Sequence, residues 1–488
     1  MTDIGVTLLG LGPGDPLLLT RQAWKILESI PEVYLRTIQH PVVQGFPDGL
    51  QVNSFDQLYE SNEAFDSVYA QIVEQVLDLG RRPDGVVYAV PGHPFVAEAT
   101  SPEIARRARE EGIPLRVVEG LSFLEPVFSA LEIDPLPRTA IVDALDIASA
   151  HVPNFPPDGP AIIAQIHSSR IASEVKLTLM DIYPDNHEVF LVHLAGNPGM
   201  VVEPLPLYEI DRSQQIGLLT TLYVPPLVQG TSFESFQEII AHLRAPDGCP
   251  WDREQTHQSL RPHLLEETYE VLSALDSEDP RALCEELGDL LLQVVLHTQV
   301  ATDEGTFSMP DVIYGIYTKL VRRHPHVFGN VDLADAESVL RNWERLKAVE
   351  REESGLVETS LLKGVAPSLP ALSQAQIYQE RAARVGFDWD HIQGVLDKII
   401  EEVEEVRQSG DNQERASELG DLIFAIVNLV RWYDIDAESA LREANLRFRK
   451  RFEYIEKAAG EQKRSLSDLS LDEMEALWQL AKKTPGED

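Results

Sequence analysis

The first 225 residues alternate between short apolar runs and amphipathic helical patterns. Apolar runs at residues 4–10, 85–90 and 115–118 each predict a buried strand, and residues 101–111 have helical periodicity. Strands that alternate with helices form sheets whose ligands contact the loops at the strand ends. Shorter strands predicted at residues 161–166 and 189–194, between turns rich in proline and glycine, indicate a second lobe. We therefore predict a two-lobed α/β domain over residues 1–225.

Beyond residues 224–226 the pattern changes to long amphipathic helices with few strand signals. Helices are predicted at 234–243, 260–275, 283–302, 313–324 and 338–353, and after a joint at 355–370 they are predicted at 374–385, 395–408, 414–433, 437–458 and 471–483. Both sets carry four features in one order: Glu-Glu-x-x-Glu, Glu-Leu-Gly-Asp, a basic cluster and Trp-x-x-x-Lys. Such a repeat predicts duplicated all-α helical bundles that pack their apolar faces together. We place them at residues 232–353 and 373–488.

Acidic pairs at i, i+3 lie on two consecutive helices of each repeat. This spacing puts both members of a pair on one helix face, so two antiparallel helices would direct four carboxylates at one volume. Like charges share such a volume when a hard divalent cation neutralises them, and oxygen ligation suits Mg²⁺ or Mn²⁺. The candidate metal ligands are Glu267, Glu270, Glu286 and Asp289 in the first repeat and Glu402, Glu405, Glu418 and Asp421 in the second.

The alternative for each acidic pair is a solvated helix face, which is common in so acidic a chain. Apolar residues flank the acids, for example Leu287 and Leu291 beside Asp289, and Ile423 beside Asp421. This interleaving predicts that the acid-bearing helices are largely buried, and buried acids need a partner. Because the arrangement occurs twice, we favour the metal site.

Composition limits the classes of partner. The net charge of −39 disfavours binding to nucleic acid or to anionic lipid. Two cysteines exclude a disulfide framework and a cysteine zinc site, and no apolar run has the length of a membrane span. We expect a cytoplasmic protein, in which a polyphosphate substrate would have to arrive with metal and meet a local basic cluster.

Basic and aromatic residues recur in register in the two repeats. The clusters include Lys319 and Arg323 in the first repeat, and Arg447 and Arg451 in the second. They supply the positive charge that a triphosphate needs. The tryptophans of the Trp-x-x-x-Lys motifs, Trp343 (before Lys347) and Trp478 (before Lys482), offer flat faces to a nucleobase, although a tryptophan in an amphipathic helix is more often core. Glu401 or Glu404 could orient an attacking water, and spacing does not choose between them.

Three turns of the first domain resemble the tetrapyrrole (corrin/porphyrin) methylase family. They are Gly-Leu-Gly-Pro-Gly-Asp at residues 10–15, Pro-Gly-His-Pro at 91–94 and Glu-Gly-Leu-Ser at 119–122. The resemblance implies S-adenosylmethionine between two α/β lobes, bound by Gly12, Pro13, Gly14, Asp15, Pro91, Gly92, His93 and Ser122. The family often has Asp at position 93 and Ser-Ser at 122–123, so cofactor binding is expected more than methyl transfer. A methylase fold kept as a scaffold is the alternative.

The helical repeats resemble the MazG family of nucleoside triphosphate pyrophosphohydrolases, and the whole chain resembles a fusion of a methylase domain to MazG. The motifs are Cys-Pro-Trp-Asp at 249–252, Arg-His-Pro-His-Val-Phe at 323–328, Ala-Arg-Val-Gly-Phe-Asp-Trp at 383–389, and the repeated acidic motifs. The resemblance implies conversion of an NTP to NMP and pyrophosphate. It puts the metal ligands of the second repeat on its four candidate acids and the nucleotide contacts on Lys398, Arg447, Arg451 and Trp478.

The predicted activity is therefore a Mg²⁺-dependent hydrolysis of nucleoside triphosphates, with Glu401, Glu402 and Glu405 as catalytic residues. In family members with two repeats the second is usually the catalytic one, although both quartets of acids are intact here. One alternative is an S-adenosylmethionine-dependent tetrapyrrole methyltransferase with a regulatory or dimerising helical part. Another is a metal-dependent nucleotide sensor. A homodimer is expected, unless the tandem repeats pair within one chain.

Overall fold

A computed structural model describes residues 5–61, 65–331 and 361–482, together with residues 335, 338–339, 342–343 and 345–346. The predicted helix at 338–353 lies mostly outside the described residues, as does Lys347. The chain divides into two compact units, Met1–Glu254 and Gln255–Asp488. Among the described helices, none is long and apolar enough to cross a membrane.

The first lobe of the N-terminal unit is a five-stranded parallel sheet. Its strands are β1 (Val6–Gly10), β2 (Glu32–Leu35), β3 (Gln51–Ser54), β4 (Val86–Val90) and β5 (Leu115–Val118), in the order β3-β2-β4-β1-β5. Its helices are α1 (Arg21–Ser29), α2 (Asp56–Ser61), α3 (Phe65–Gly80) and α4 (Thr100–Glu110), with short 3-10 turns at Pro16–Leu18 and Pro41–Gly45. Two apolar clusters are built on this sheet, and the parallel order brings the loops after β1 and β4 together.

The second lobe is a mixed sheet. Its strands are β6 (Ala140–Asp143), β7 (Ala161–Ala164), β8 (Glu188–His193), β9 (Val201–Pro206) and β10 (Thr220–Val224), in the order β6-β7-β10-β8-β9. The helices of this part are α5 (Leu124–Leu131), α6 (Ala144–Ser149), α7 (Ser169–Met180), α8 (Phe233–Arg244) and α9 (Pro250–Glu254), with a 3-10 helix at Leu207–Arg212. The helix α8 is tied to this lobe because the hydroxyls of Ser232 and Ser235 donate to the carboxylate of Asp158. The two-lobed α/β fold is confirmed.

The C-terminal unit is helical, as the sequence predicts. The first repeat has α10 (His257–Asp276), α11 (Pro280–Asp303), α12 (Met309–Arg323) and α13 (Pro325–Phe328). The second has α14 (Ala371–Ala383), α15 (Ile392–Gln408), α16 (Asn412–Trp432), α17 (Ala437–Glu461) and α18 (Leu471–Ala481), with a 3-10 turn at Leu466–Asp468. An ion pair of 2.8 Å between Arg442 and Asp276 joins the second repeat to the first.

The prediction that the acid-bearing helices are largely buried is wrong for the single chain. Leu287 on α11 is 48% exposed and Ile423 on α16 is 53% exposed. A helix buries only the stripe that faces a neighbour. In each hairpin, α10 with α11 and α15 with α16, the flanking apolar residues of the second helix therefore remain half exposed. Apolar faces of this kind are typical of interaction surfaces.

Candidate functional sites

Acidic side chains of the second repeat converge in the α15–α16 hairpin. Glu402, Glu405 and Glu418 each offer a carboxylate oxygen, and these oxygens lie within 4.8 Å of one another. The i, i+3 spacing on α15 puts Glu402 and Glu405 on one face, and the three-residue connection folds α16 back against it. Asp421 is not part of this group of three; it lines a cavity that also contains Glu402.

The first repeat contains a matching group in the α10–α11 hairpin. Glu267, Glu270 and Glu286 meet the same 4.8 Å criterion. Burial, together with a hydrogen bond to Glu270 and the charge of Asp289, raises the pKa of Glu267. Asp289 thus lies close enough to act on Glu267 electrostatically without being part of the group of three. Both hairpins therefore concentrate negative charge at one position.

The second cluster fits a divalent cation. Glu402 is only 4% exposed, and its buried Oε2 atom has no hydrogen-bond partner among the residues that the structure describes. Burial, followed by the charges of Glu402 and Glu418, raises the pKa of Glu405. A buried carboxylate oxygen without a hydrogen-bond donor is unfavourable unless a cation binds to it. A site whose ligand atoms are all oxygens suits Mg²⁺ or Mn²⁺.

A lysine distinguishes the second cluster from the first. Lys398 Nζ lies 2.8 Å from Glu401 Oε1 and 2.8 Å from Glu402 Oε1, and it lines the adjacent cavity. The corresponding residue of the first repeat, four positions before Glu267, is His263, whose Nδ1 lies 3.6 Å from Glu266. Among the described residues, a permanently charged ammonium group thus pairs with a metal-ligand candidate of the second cluster, and a histidine occupies the equivalent position beside the first.

The predicted nucleotide-binding tryptophans make the same contact in both repeats. The guanidinium carbon of Arg451 lies 5.7 Å from the Trp478 ring centroid, and that of Arg323 lies 5.8 Å from the Trp343 ring. Phe448 also contacts Trp478, with ring centroids 5.2 Å apart. One face of each tryptophan is thus engaged by an arginine, which is a cation–π contact.

The remaining predicted nucleotide contacts are not joined to the acids. Arg447 pairs with Glu443 at 3.3 Å on its own helix, and Lys482 and Lys319 are exposed. Among residues 361–482, the contacts of Arg447, Arg451 and Trp478 involve α17 and α18 and do not reach the acids on α15 and α16. Of the predicted nucleotide contacts of the second repeat, Lys398 pairs with a metal-ligand candidate, whereas Arg447, Arg451 and Trp478 make their described contacts elsewhere.

The N-terminal unit contains a cavity of about 200 Å³ beside the glycine loops. Gly12 and Gly92 bridge the loops after β1 and β4 by paired backbone hydrogen bonds of 3.2 and 2.8 Å. Of the eight predicted cofactor contacts, Pro13, Pro91 and Gly92 line the cavity. The other lining residues include His40, Gln165 and Thr221.

Three predicted cofactor side chains are used locally instead. Asp15 accepts a hydrogen bond from Leu17 N at 2.8 Å, and His93 Nδ1 accepts one from Phe95 N at 3.1 Å. The Ser122 hydroxyl donates to Glu125 at 2.6 Å. These are turn and cap contacts. Gly12, Gly14, Asp15, His93 and Ser122 therefore shape the loops rather than line the cavity, which sequence motifs do not reveal.

Two non-glycine residues on this cavity have left-handed backbone conformations. Ala97 has φ 51° and Gln165 has φ 67°. Such conformations are unfavourable for side chains with a Cβ and concentrate at ligand sites. His40 is also buried at this cavity, its Nδ1 has no hydrogen-bond partner, and burial lowers its pKa to about 4. The cavity therefore presents a neutral imidazole at physiological pH.

Comparisons with known proteins match both parts of the chain. The model of the tetrapyrrole (corrin/porphyrin) methylases matches residues 5–211, and that of the MazG nucleotide pyrophosphohydrolase domain matches residues 255–328. MazG of Thermotoga maritima, a nucleoside triphosphate pyrophosphohydrolase/pyrophosphatase, is 43% identical over 52% of this chain and 96% of its own length. Uroporphyrin-III-C-methyltransferase from Thermus thermophilus is 22% identical over 45% of this chain and 92% of that chain, with a TM-score of 0.35.

A further relative extends over both parts at once. The uncharacterized protein YabN of Bacillus subtilis is 43% identical over 488 residues, which cover 98% of this chain and 98% of that protein. The alignment therefore joins the methylase-like lobes and the helical repeats in one relative of equal extent. The chain belongs to the YabN family, in which a tetrapyrrole methylase domain is fused to MazG nucleotide pyrophosphohydrolase domains.

Proposed function

We propose that this protein hydrolyses nucleoside triphosphates to nucleoside monophosphates and pyrophosphate in its second helical repeat. The observation that carries the proposal is the buried, unpartnered Oε2 of Glu402 in a group with Glu405 and Glu418. The similarity to MazG of Thermotoga maritima supports the reaction class. Glu402, Glu405, Glu418 and Asp421 would hold Mg²⁺ or Mn²⁺.

The metal would neutralise the carboxylates and the triphosphate and would polarise the phosphate that is attacked. In this proposal, Glu401, held by Lys398, accepts a hydrogen bond from water and orients it toward the α-phosphorus. The new bond joins that oxygen to phosphorus while the Glu401 carboxylate takes the proton that the water loses, the bond from the α-phosphorus to the bridging oxygen breaks, and pyrophosphate leaves. Positioning and electrostatic stabilisation account for the rate enhancement.

The catalytic role is assigned to the second repeat because of Lys398. Its ammonium group neutralises one of the acids and also lines the cavity beside them. The first repeat has His263 in the equivalent place. We propose that the first cluster binds metal and contributes less to turnover, and that Arg447, Arg451, Trp478 and Lys482 meet the departing phosphates.

We further propose that two chains associate through their apolar helix faces. The half-exposed side chains of Leu287 and Ile423 support this, because each lies beside the acids on a helix that is covered only on its other side. A second copy would cover these faces and complete the bundle. Light scattering of the full chain tests this proposal, and a monomer at micromolar concentration would contradict it.

The activity is tested by product analysis. With ATP or dTTP and Mg²⁺, the products should be the monophosphate and pyrophosphate, and Glu402→Ala and Glu418→Ala should abolish turnover. Glu267→Ala, at the matched position of the first repeat, should retain it. Release of the nucleoside diphosphate and orthophosphate would contradict the proposal, as would nucleotide binding without any product.

For the N-terminal unit we propose binding of S-adenosylmethionine in the cavity of Pro13, Pro91 and Gly92. The left-handed backbone at Ala97 and Gln165 and the buried His40 support a ligand there. The related methylase model supports its identity. Calorimetric titration of the full chain with S-adenosylmethionine tests the proposal, and a flat titration would refute it. Transfer of a labelled methyl group to a tetrapyrrole would favour the methyltransferase alternative.

A further inference from the structure

A second cavity of the protein lies against the acidic cluster of the second repeat. It has a volume of about 380 Å³, and residues of α14, α15 and α16 line it. Glu402 of the cluster lines it together with Lys398 and Asp421, and its other walls include the rings of Tyr378 and Trp389. A cavity of this size with mostly apolar walls and a few polar groups is typical of a small-molecule site.

One polar group in this cavity is a fixed hydrogen-bond acceptor. Gln379 on α14 is only 8% exposed, and its Nε2 donates to the backbone carbonyl of Phe424 at 2.8 Å. A carbonyl can only accept, so this bond fixes the orientation of the amide. The Oε1 atom is consequently directed away from that bond, and within the described part of the chain it is buried without a hydrogen-bond partner. A ligand N–H would satisfy it.

A second polar group is a fixed donor. Asn428 on α16 is 4% exposed, and its Oδ1 accepts a hydrogen bond from Arg431 Nε at 2.8 Å. The guanidinium of Arg431 is held in turn by both carboxylate oxygens of Asp388, each at 2.8 Å. These hydrogen bonds engage Oδ1, so Nδ2 is the donor that Asn428, as a lining residue, can offer to a ligand in the cavity. Asn428 lies one helical turn after Phe424, so the donor and the acceptor face the same region.

We propose that this cavity holds the nucleobase of the substrate, with Gln379 accepting a base N–H and Asn428 donating to a base acceptor. The inference rests on the proposed hydrolysis of nucleoside triphosphates and identifies where base selectivity is set. The shared residues Glu402 and Asp421 place the triphosphate of such a ligand beside the metal-ligand candidates. The base then lies against Tyr378 and Trp389 rather than on Trp478, one face of which is engaged by Arg451.

The first repeat has no hydrogen-bond donor at the sequence position equivalent to Asn428. Asn428 follows Asp421 by seven residues, and the residue that follows Asp289 by seven is Leu296. Leucine has no hydrogen-bonding side chain. We therefore assign base selection to the second repeat. The variant Asn428→Leu introduces the residue that the first repeat has at the equivalent position.

The test compares kcat/KM for pyrophosphate release from dATP, dGTP, dCTP and dTTP by the full chain with Mg²⁺. The wild type should discriminate among the four. Gln379→Met and Asn428→Leu should each lower kcat/KM for the preferred nucleotide at least about tenfold. They should also narrow the differences in kcat/KM among the four nucleotides, because a site that selects its substrate by hydrogen bonds loses that discrimination when the hydrogen bonds are removed. Asn412→Leu, an exposed position on the same helix, is the matched control and should keep the wild-type ratios.

Inorganic tripolyphosphate, which has no base, serves as a competitor that reports on the metal and phosphate site alone. If tripolyphosphate inhibits Asn428→Leu as strongly as the wild type, and this variant still has the wild-type ratios of kcat/KM among the four nucleotides, the inference is overturned. Should Asn428→Leu fail to fold, Gln379→Met decides by the same criterion. Equal kcat/KM values for all four nucleotides in the wild type also overturn it. If the wild type releases pyrophosphate from none of them, the proposed function fails and this inference falls with it.

Discussion

Replacement of Glu402 by glutamine tests the metal site most directly. The four candidate acids of the second repeat and Lys398 carry a net charge of −3, from four carboxylates and one ammonium, and Glu402→Gln reduces it to −2. The change also replaces one oxygen of a buried carboxylate, whose Oε1 pairs with Lys398 and whose Oε2 has no partner among the described residues, with an amide nitrogen. Loss of residues that merely orient metal ligands costs about 10–100-fold in affinity. For a ligand itself, we expect a loss of Mg²⁺ affinity of at least about 100-fold.

The expected size of the effect on stability follows from linkage. At a Mg²⁺ concentration of about 100 times the dissociation constant, binding stabilises the fold by about 2.7 kcal/mol. With a 100-fold weaker site the same concentration gives about 0.4 kcal/mol. For a unit of this size, roughly 2–4 °C of melting temperature corresponds to 1 kcal/mol. The Mg²⁺-induced rise should therefore fall from about 5–10 °C to about 1–2 °C.

The assay uses the full chain in a Glu267→Gln background, so that only the second cluster responds to metal. Melting with and without Mg²⁺ and release of pyrophosphate are measured in parallel. Glu456→Gln, an exposed position on α17, is the control for loss of one negative charge. If the double variant shows the same Mg²⁺-induced rise as Glu267→Gln alone, the acids of the second repeat do not hold the metal.

Further predictions concern the N-terminal unit. Glu98→Ala should destabilise it by about 3–5 kcal/mol in urea unfolding, because it leaves Arg36 without the buried carboxylate 3.1 Å away; an effect below about 1 kcal/mol would contradict this. The pKa of His40, about 4 in the fold, lies below its unfolded value of 6.5, so the unfolded state binds more protons between these values. Stability should therefore be full above pH 6.5 and should decline by up to roughly 3 kcal/mol as the pH falls toward 4, and His40→Gln should flatten this slope. Gly14→Ala should weaken binding of S-adenosylmethionine, because its Cβ would lie 1.9 Å from Asn197 Oδ1 at a φ of +148°; calorimetry that gives the wild-type affinity would refute the role of this loop.

Features that depend on local spacing can be predicted from the amino-acid sequence alone. The strand and helix periods predict α/β lobes followed by helical repeats, because side-chain direction repeats every two residues in a strand and every 3.6 in a helix. The i, i+3 spacing of Glu402 and Glu405 is local in the same sense, and its duplication at Glu267 and Glu270 can be read from the chain. The bounds agree closely where apolar periodicity is strong, as in Phe233–Arg244, for which residues 234–243 are predicted.

The residues that share a cavity and the helix faces that stay uncovered are known only from the three-dimensional packing. Gln379 and Asn428 are 49 positions apart, and the acceptor and donor roles of their amides follow from hydrogen bonds to Phe424 and Arg431 that no periodic pattern encodes. Likewise, the Ser122 hydroxyl is used by a helix cap, whereas His40, outside every motif, lies in the N-terminal cavity. Apolar periodicity marks which helix faces prefer burial, but the packing of the whole chain determines which of them are covered.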